Sequence, residues 1–124
     1  MAFLGEESGW AAEASECAAD QDAFWEYHDK LFDSQSGENQ GAFNKDKLKG
    51  FAKDLNLDTE AFNECLDSGK YAQAVQESTQ TAQSIGVRST PAFLINGQPM
   101  LGAQPYSSFQ QVIDGLLSGE APQQ

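Results

Sequence analysis

Apolar residues recur at helical spacing through most of the chain and at strand spacing in only one place. Trp10, Ala14, Cys17 and Ala18 fall at i, i+4, i+7 and i+8, which predicts a first helix with Ser8 placed to cap it. A second helix behind Asp20 shows Phe24, His28, Leu31 and Phe32 on one face, widened by Trp25 and Tyr27. Asn44 stands before Leu48, Phe51, Ala52 and Leu55, and Asp58 stands before Phe62, Cys65 and Leu66, so each Asx residue is positioned to cap a helix. Gly69-Lys70 breaks the fourth helix. A fifth runs from about Tyr71 to Ile85, with Tyr71, Val75, Ser78, Ala82 and Ile85 on one face and Gly86 as its stop.

The pattern then changes period. Ala92 to Ile95 is a short apolar run, Asn96-Gly97 supplies the two positive-φ residues of a type I′ turn, and Pro99 to Gly102 returns as a second strand. Pro91 cannot donate to a strand ladder, so Thr90-Pro91 marks the entry to the hairpin and is a candidate for a cis bond. Pro105 opens a last helix with Phe109, Val112, Ile113, Leu116 and Leu117 as its stripe and Gly119 as its end; Glu120 to Gln124 reads as a frayed tail.

Two polar features are read as surface. Asp33 to Gly41 is a glycine-containing loop; it has Glu38 where a calcium-binding loop needs its turn glycine and Asn44 where it needs a bidentate glutamate, so no calcium site is expected. Lys45, Lys49 and Lys53 form a stripe balanced by Asp46 and Asp54, which reads as a solvated helix face.

Charge narrows the function classes. Seven basic against nineteen acidic residues give a net charge of −12 over 124 residues. A phosphate backbone or an anionic membrane surface would be repelled, so nucleic acid is not expected as a partner. No apolar run approaches the ~18 residues of a membrane-spanning helix, and no membrane insertion is expected. The opening MAFLGEESGW has neither a basic stretch nor a long apolar core, so no export signal is visible in it.

The candidate chemistry is sparse. Cys17 and Cys65, each on the apolar face of its helix, admit three readings: buried free thiols, a redox couple, or a structural disulfide. A catalytic thiolate fits poorly, because Cys17 sits towards the C-terminal half of its helix, where the dipole opposes negative charge, and Cys65 lies inside one. His28 is the only histidine. It has no nucleophile to activate and no second imidazole for a metal, so it reads as a packed aromatic-face residue, and neither a metal nor another cofactor is expected.

Three segments carry a family resemblance: AAEASECAADQDAFWEYHDKLF over Ala11 to Phe32, FNECLDSGKY over Phe62 to Tyr71, and GVRSTPAFLINGQ over Gly86 to Gln98. Together they resemble the DsbA-like thioredoxin family of bacterial thiol:disulfide oxidoreductases, which act outside the cytoplasm on unfolded or extended polypeptides. The resemblance runs from about Phe3 to Leu117. It implies an α+β, mostly helical chain with a partial thioredoxin-like fold. In that reading residues 1–124 form one domain, with a five-helix insertion over 11–85 and a ββα remnant over 86–118. Thr90 and Pro91 match the family's threonine and cis-proline, implying a role in substrate binding, and Cys17 with Cys65 match a second, non-catalytic disulfide.

The departure from the family is large. Its first strand and CxxC helix precede the inserted helices, and neither cysteine here lies in a CxxC. The expected reading is the C-terminal two-thirds of an oxidoreductase that begins late, with no catalytic residue and no activity of its own; a natural remnant is the other reading. Whether the chain is itself an enzyme is therefore open. The alternative function is a peptide-binding or assembly module using the Pro91 loop and the exposed strand. Because the strand's usual neighbour is missing, the Ala92 to Ile95 edge is also a candidate homodimer contact.

Overall fold

The computed structural model describes residues 2–119, so the expected tail at 120–124 lies outside the described residues. The elements are α1 (Glu6–Ala19), α2 (Phe24–Asp33), α3 (Lys45–Asp54), α4 (Thr59–Asp67), α5 (Ala72–Ser84), β1 (Ala92–Ile95), β2 (Gln98–Leu101) and α6 (Tyr106–Ser118). This is the mostly helical α+β arrangement that the sequence implies. The contacts divide the chain into two compact units, Met1–Ala82 and Gln83–Gln124.

The first unit is built on α1, which packs against α2, α3 and α4. Ala14 and Ala18 are fully buried, and their small side chains let the neighbouring helices approach closely. Tyr27, Leu48, Ala52, Phe62 and Leu66 fill the space between them, each fully buried. The Tyr27 ring lies 5.4 Å from that of Phe62, and its hydroxyl donates to the Leu48 carbonyl at 2.8 Å. A buried phenol needs such a partner, because an unpaired one costs about 1–3 kcal/mol. The same burial pushes the Tyr27 pKa far above its ordinary value.

Helix starts separate local from distant causes. The Asn44 side chain accepts from the Lys47 N–H at 2.9 Å, and that of Asp58 from the Ala61 N–H at 3.1 Å, as their spacing predicts. Ser8 and Asp20 do not act as the expected caps. Helix α1 begins at Glu6 behind Gly5, and it is the Asn39 side chain that accepts the Glu7 N–H, at 3.4 Å. Glu7 in turn is buried and accepts the Phe43 N–H at 3.4 Å, so the loop after α2 seals the start of α1. Helix α2 has Ala23 at its N-cap, with no side-chain capping bond; Asp20 is held elsewhere.

The second unit is a hairpin followed by α6. Strands β1 and β2 pair antiparallel, Ala92 with Leu101 through Ile95 with Gln98. Asn96 and Gly97 take φ of 49° and 80°, the left-handed pair that a type I′ turn requires. Phe93 meets Phe109 of α6 edge-on at 4.9 Å. Pro105 is the N-cap of α6, one position earlier than its expected place as first helical residue, and Gly119 ends the helix with φ 74°. No described residue of this unit reaches full burial.

Candidate functional site

Two places carry the residues singled out from the sequence, one in each unit. In the second unit, the Thr90-Pro91 peptide bond is cis. Thr90 and Pro91 are both exposed, and the hairpin closes directly behind them, with the Pro91 carbonyl accepting the Gly102 N–H at 2.9 Å. The sheet has the order β1-β2. Among the described residues each strand is therefore paired on one side only, and the outer main-chain groups of β1 begin immediately after Pro91. That geometry offers an extended backbone a ladder to pair with.

In the first unit, Cys17 and Cys65 are joined in a disulfide, with Cα atoms 5.9 Å apart. The bond staples α1 to α4 within the core, and no free cysteine remains. Cys17 is 1% exposed and Cys65 8%. A cluster unforeseen from the sequence lies beside Cys65. The Asp20 carboxylate accepts from the Lys70 ammonium at 2.6 Å and from the Tyr71 hydroxyl, and lies 4.0 Å from the Cys65 sulfur. The Lys70 hydrogen bond, followed by that from Tyr71, holds the Asp20 pKa below its ordinary value. The same bonds to Asp20 raise the pKa values of Lys70 and Tyr71. Asp20 lies 50 and 51 positions before Lys70 and Tyr71, so no local signal marks their meeting.

His28 is not buried in the core. Its side chain is 39% exposed and its Nδ1 lies 3.0 Å from the Asp29 carboxylate. Its ring sits 5.3 Å from that of Trp25 and 4.8 Å from that of Phe32. Trp25 and Phe32 are themselves 68% and 67% exposed, so the aromatic face of α2 points largely to solvent. No group of three or more metal-ligating side chains forms among the described residues, and no described helix is long and apolar enough to cross a membrane.

The chain matches the family described as thioredoxin over residues 1–115. It is 29% identical over 121 residues to the disulfide bond formation protein D of Bacillus subtilis (strain 168), covering 95% of this chain and 54% of that protein. It is 28% identical over 94 residues to the thiol:disulfide interchange protein DsbA of Bordetella pertussis, covering 73% of this chain and 45% of that protein. A stretch of the Na(+)/H(+) antiporter NhaA 1 of Salinispora arenicola, 16% of its length, is 34% identical over 109 residues, or 88% of this chain. The chain thus spans from under a fifth to about half the length of these relatives. In structure, a thioredoxin-like oxidoreductase from Silicibacter pomeroyi DSS-3 superposes with a TM-score of 0.72 at 25% identity, over 94% of this chain and 64% of that one. With a sequence match that runs through both units and a backbone that follows a thioredoxin-like oxidoreductase, the chain belongs to the thioredoxin family.

Proposed function

We propose that the chain is part of a thiol:disulfide oxidoreductase that exchanges disulfides with extended polypeptides outside the cytoplasm. In this reading Thr90 and Pro91 face the substrate backbone, and the Cys17–Cys65 bond is a structural cross-link. The observation that carries the reading is the match to proteins named for disulfide formation and interchange, which spans both units. Exchange needs an accessible thiolate to attack a substrate sulfur and a second thiol to resolve the mixed disulfide. Both cysteines of these 124 residues are bonded to each other, so the chain alone binds without turning over.

The test is reduction of insulin, and oxidation of a reduced model protein, by the purified chain. Rates at background are expected. Turnover that disappears on Cys17→Ser would overturn the assignment of that pair as structural and make it the redox couple.

A second reading is favoured by the outer side of β1. As a binding or assembly module, the chain would take an extended peptide, or a second copy of itself, along Ala92 to Ile95. Sedimentation equilibrium with amide exchange separates the two occupants. Protection of the Phe93 and Ile95 amides that grows with protein concentration supports a homodimer, and protection that appears only on adding peptide supports augmentation.

A further inference from the structure

We propose that the first unit carries a polypeptide-docking track of its own, separate from the Thr90-Pro91 loop, and that it takes an apolar segment bearing Lys or Arg. Two features meet at Phe24. One is a groove of about 360 Å³ between α1 and α5, lined by side chains such as Ala12, Ser15, Val75 and Ser78 together with the rings of Phe24 and Tyr71. The other is the exposed ring series on α2. The Phe24 ring lies 5.0 Å from Trp25, edge to face, and 6.4 Å from His28, which in turn neighbours Phe32 at 4.8 Å. The Asp29 carboxylate bonded to His28 Nδ1 helps fix that ring between its neighbours. Large rings exposed side by side on one helix, continuous with a recess lined by small residues, form a surface suited to side chains inserted from a partner.

Charge identifies the partner. The groove contains Glu16 and no basic residue. Beside the ring series, α2 places Glu26, Asp29 and Asp33, while its one lysine, Lys30, pairs with Asp54 at 3.2 Å. Next to Tyr71 in the groove lining, Lys70 is taken by Asp20. The rim is thus acidic, with both nearby cations already paired, on a chain of net charge −12. An acidic rim around aromatic faces complements a segment whose leucine-like side chains fill the recess and whose cations meet carboxylates and ring faces. An acidic partner would be repelled by the same rim.

The experiment uses the full 124-residue chain and three monomeric twelve-residue peptides: one carrying leucines and lysines, one with each lysine replaced by glutamate, and one with each leucine replaced by serine. Calorimetry at moderate salt is expected to show the leucine–lysine peptide binding at least tenfold more tightly than either control. Trp25→Ala and Phe32→Ala should each weaken it at least fivefold with an unchanged melting temperature, and Asp29→Lys should invert the preference between the two leucine peptides. Equal affinity for the glutamate peptide, or for the serine peptide, overturns the proposal. So does binding that ignores Phe32→Ala but is abolished by Pro91→Ala, which would belong to the loop. Sedimentation in which Trp25→Ala removes self-association and leaves peptide affinity unchanged also overturns it, by making a second copy the occupant.

Discussion

In the first unit Phe62 is fully buried, with the Tyr27 ring 5.4 Å away; in the second, Phe93 meets Phe109 at 4.9 Å and is still 40% exposed. The pair contacts are alike and the surroundings are not. Phe62 lies in the core that α1 to α4 form together, whereas Phe93 lies on a two-stranded sheet with one helix. Leu94, Leu101, Ile113 and Leu117 of the second unit are likewise 43% to 81% exposed. An aromatic contact is worth ~0.5–1.5 kcal/mol beyond burial, so it cannot replace the enclosure that a further layer supplies. Apolar patterning therefore specifies each element in both units, but only in the first do the elements enclose a core, and even there α2 leaves Trp25 and Phe32 outside it.

Matched substitutions sharpen this contrast most. Phe62→Ala is expected to cost about 3–5 kcal/mol in chemical denaturation, the range for emptying an enclosed aromatic site. Phe93→Ala, with its ring already partly hydrated, is expected to cost about 1 kcal/mol or less. Equal costs would mean that the second unit has a core as complete as the first. Next in size is the cross-link: reducing Cys17–Cys65, whose sequence separation is 48, should destabilise the first unit by about 4 kcal/mol in the chain-entropy model. Amide exchange should accelerate in α1 and α4 while β1 and β2 are unchanged. A small thiol should be trapped first on Cys65, the more exposed residue of the pair, which peptide mass mapping reads directly.

The caps come below that. Asn44→Ala and Asp58→Ala should each cost about 1 kcal/mol by loss of a side-chain acceptor at a helix start, whereas Ser8→Ala should cost a few tenths at most, since Ser8 caps nothing. The smallest effect is pH-dependent. Because the Asp20 pKa is depressed on folding, its contribution is present above the unfolded value and is lost as pH falls through the folded one. Asp20→Asn should therefore lower stability slightly at neutral pH, screened as the pair is by solvent, and by progressively less as pH falls below about 4, so that the acid side of the profile flattens. A variant whose acid limb coincides with that of the original chain would show that the cluster does not stabilise the fold.

What the sequence made legible follows the range of the interaction that decides each feature. Asn44 and Asp58 cap helices by bonds spanning three residues, and Asn96-Gly97 sets a turn by its own torsions, so each is written locally. Asp20 has the right type and place for a cap, but Lys70 and Tyr71 claim its carboxylate from fifty positions away. Helix α2 shows a different limit. Its apolar and aromatic residues spread over an arc of about 160° at 100° per residue, wider than the stripe that is buried, so periodicity cannot choose which part turns inward; the structure buries Tyr27 and exposes Trp25 and Phe32. At the site, Thr90-Pro91 was legible as a hairpin entry. The acidic rim beside the α2 rings was not, because it depends on which arc faces out.

The seal between Asn39, Glu7 and Phe43 also divides the loop after α2 into a held part and an exposed tip around Ser36 to Glu38. An endoprotease acting on the folded protein should nick that tip before it reaches the sealed stretch. The cut would fall between the two half-cystines, leaving one on each fragment. The nicked molecule would therefore migrate as a single species on a non-reducing gel and separate into two only when thiol is added.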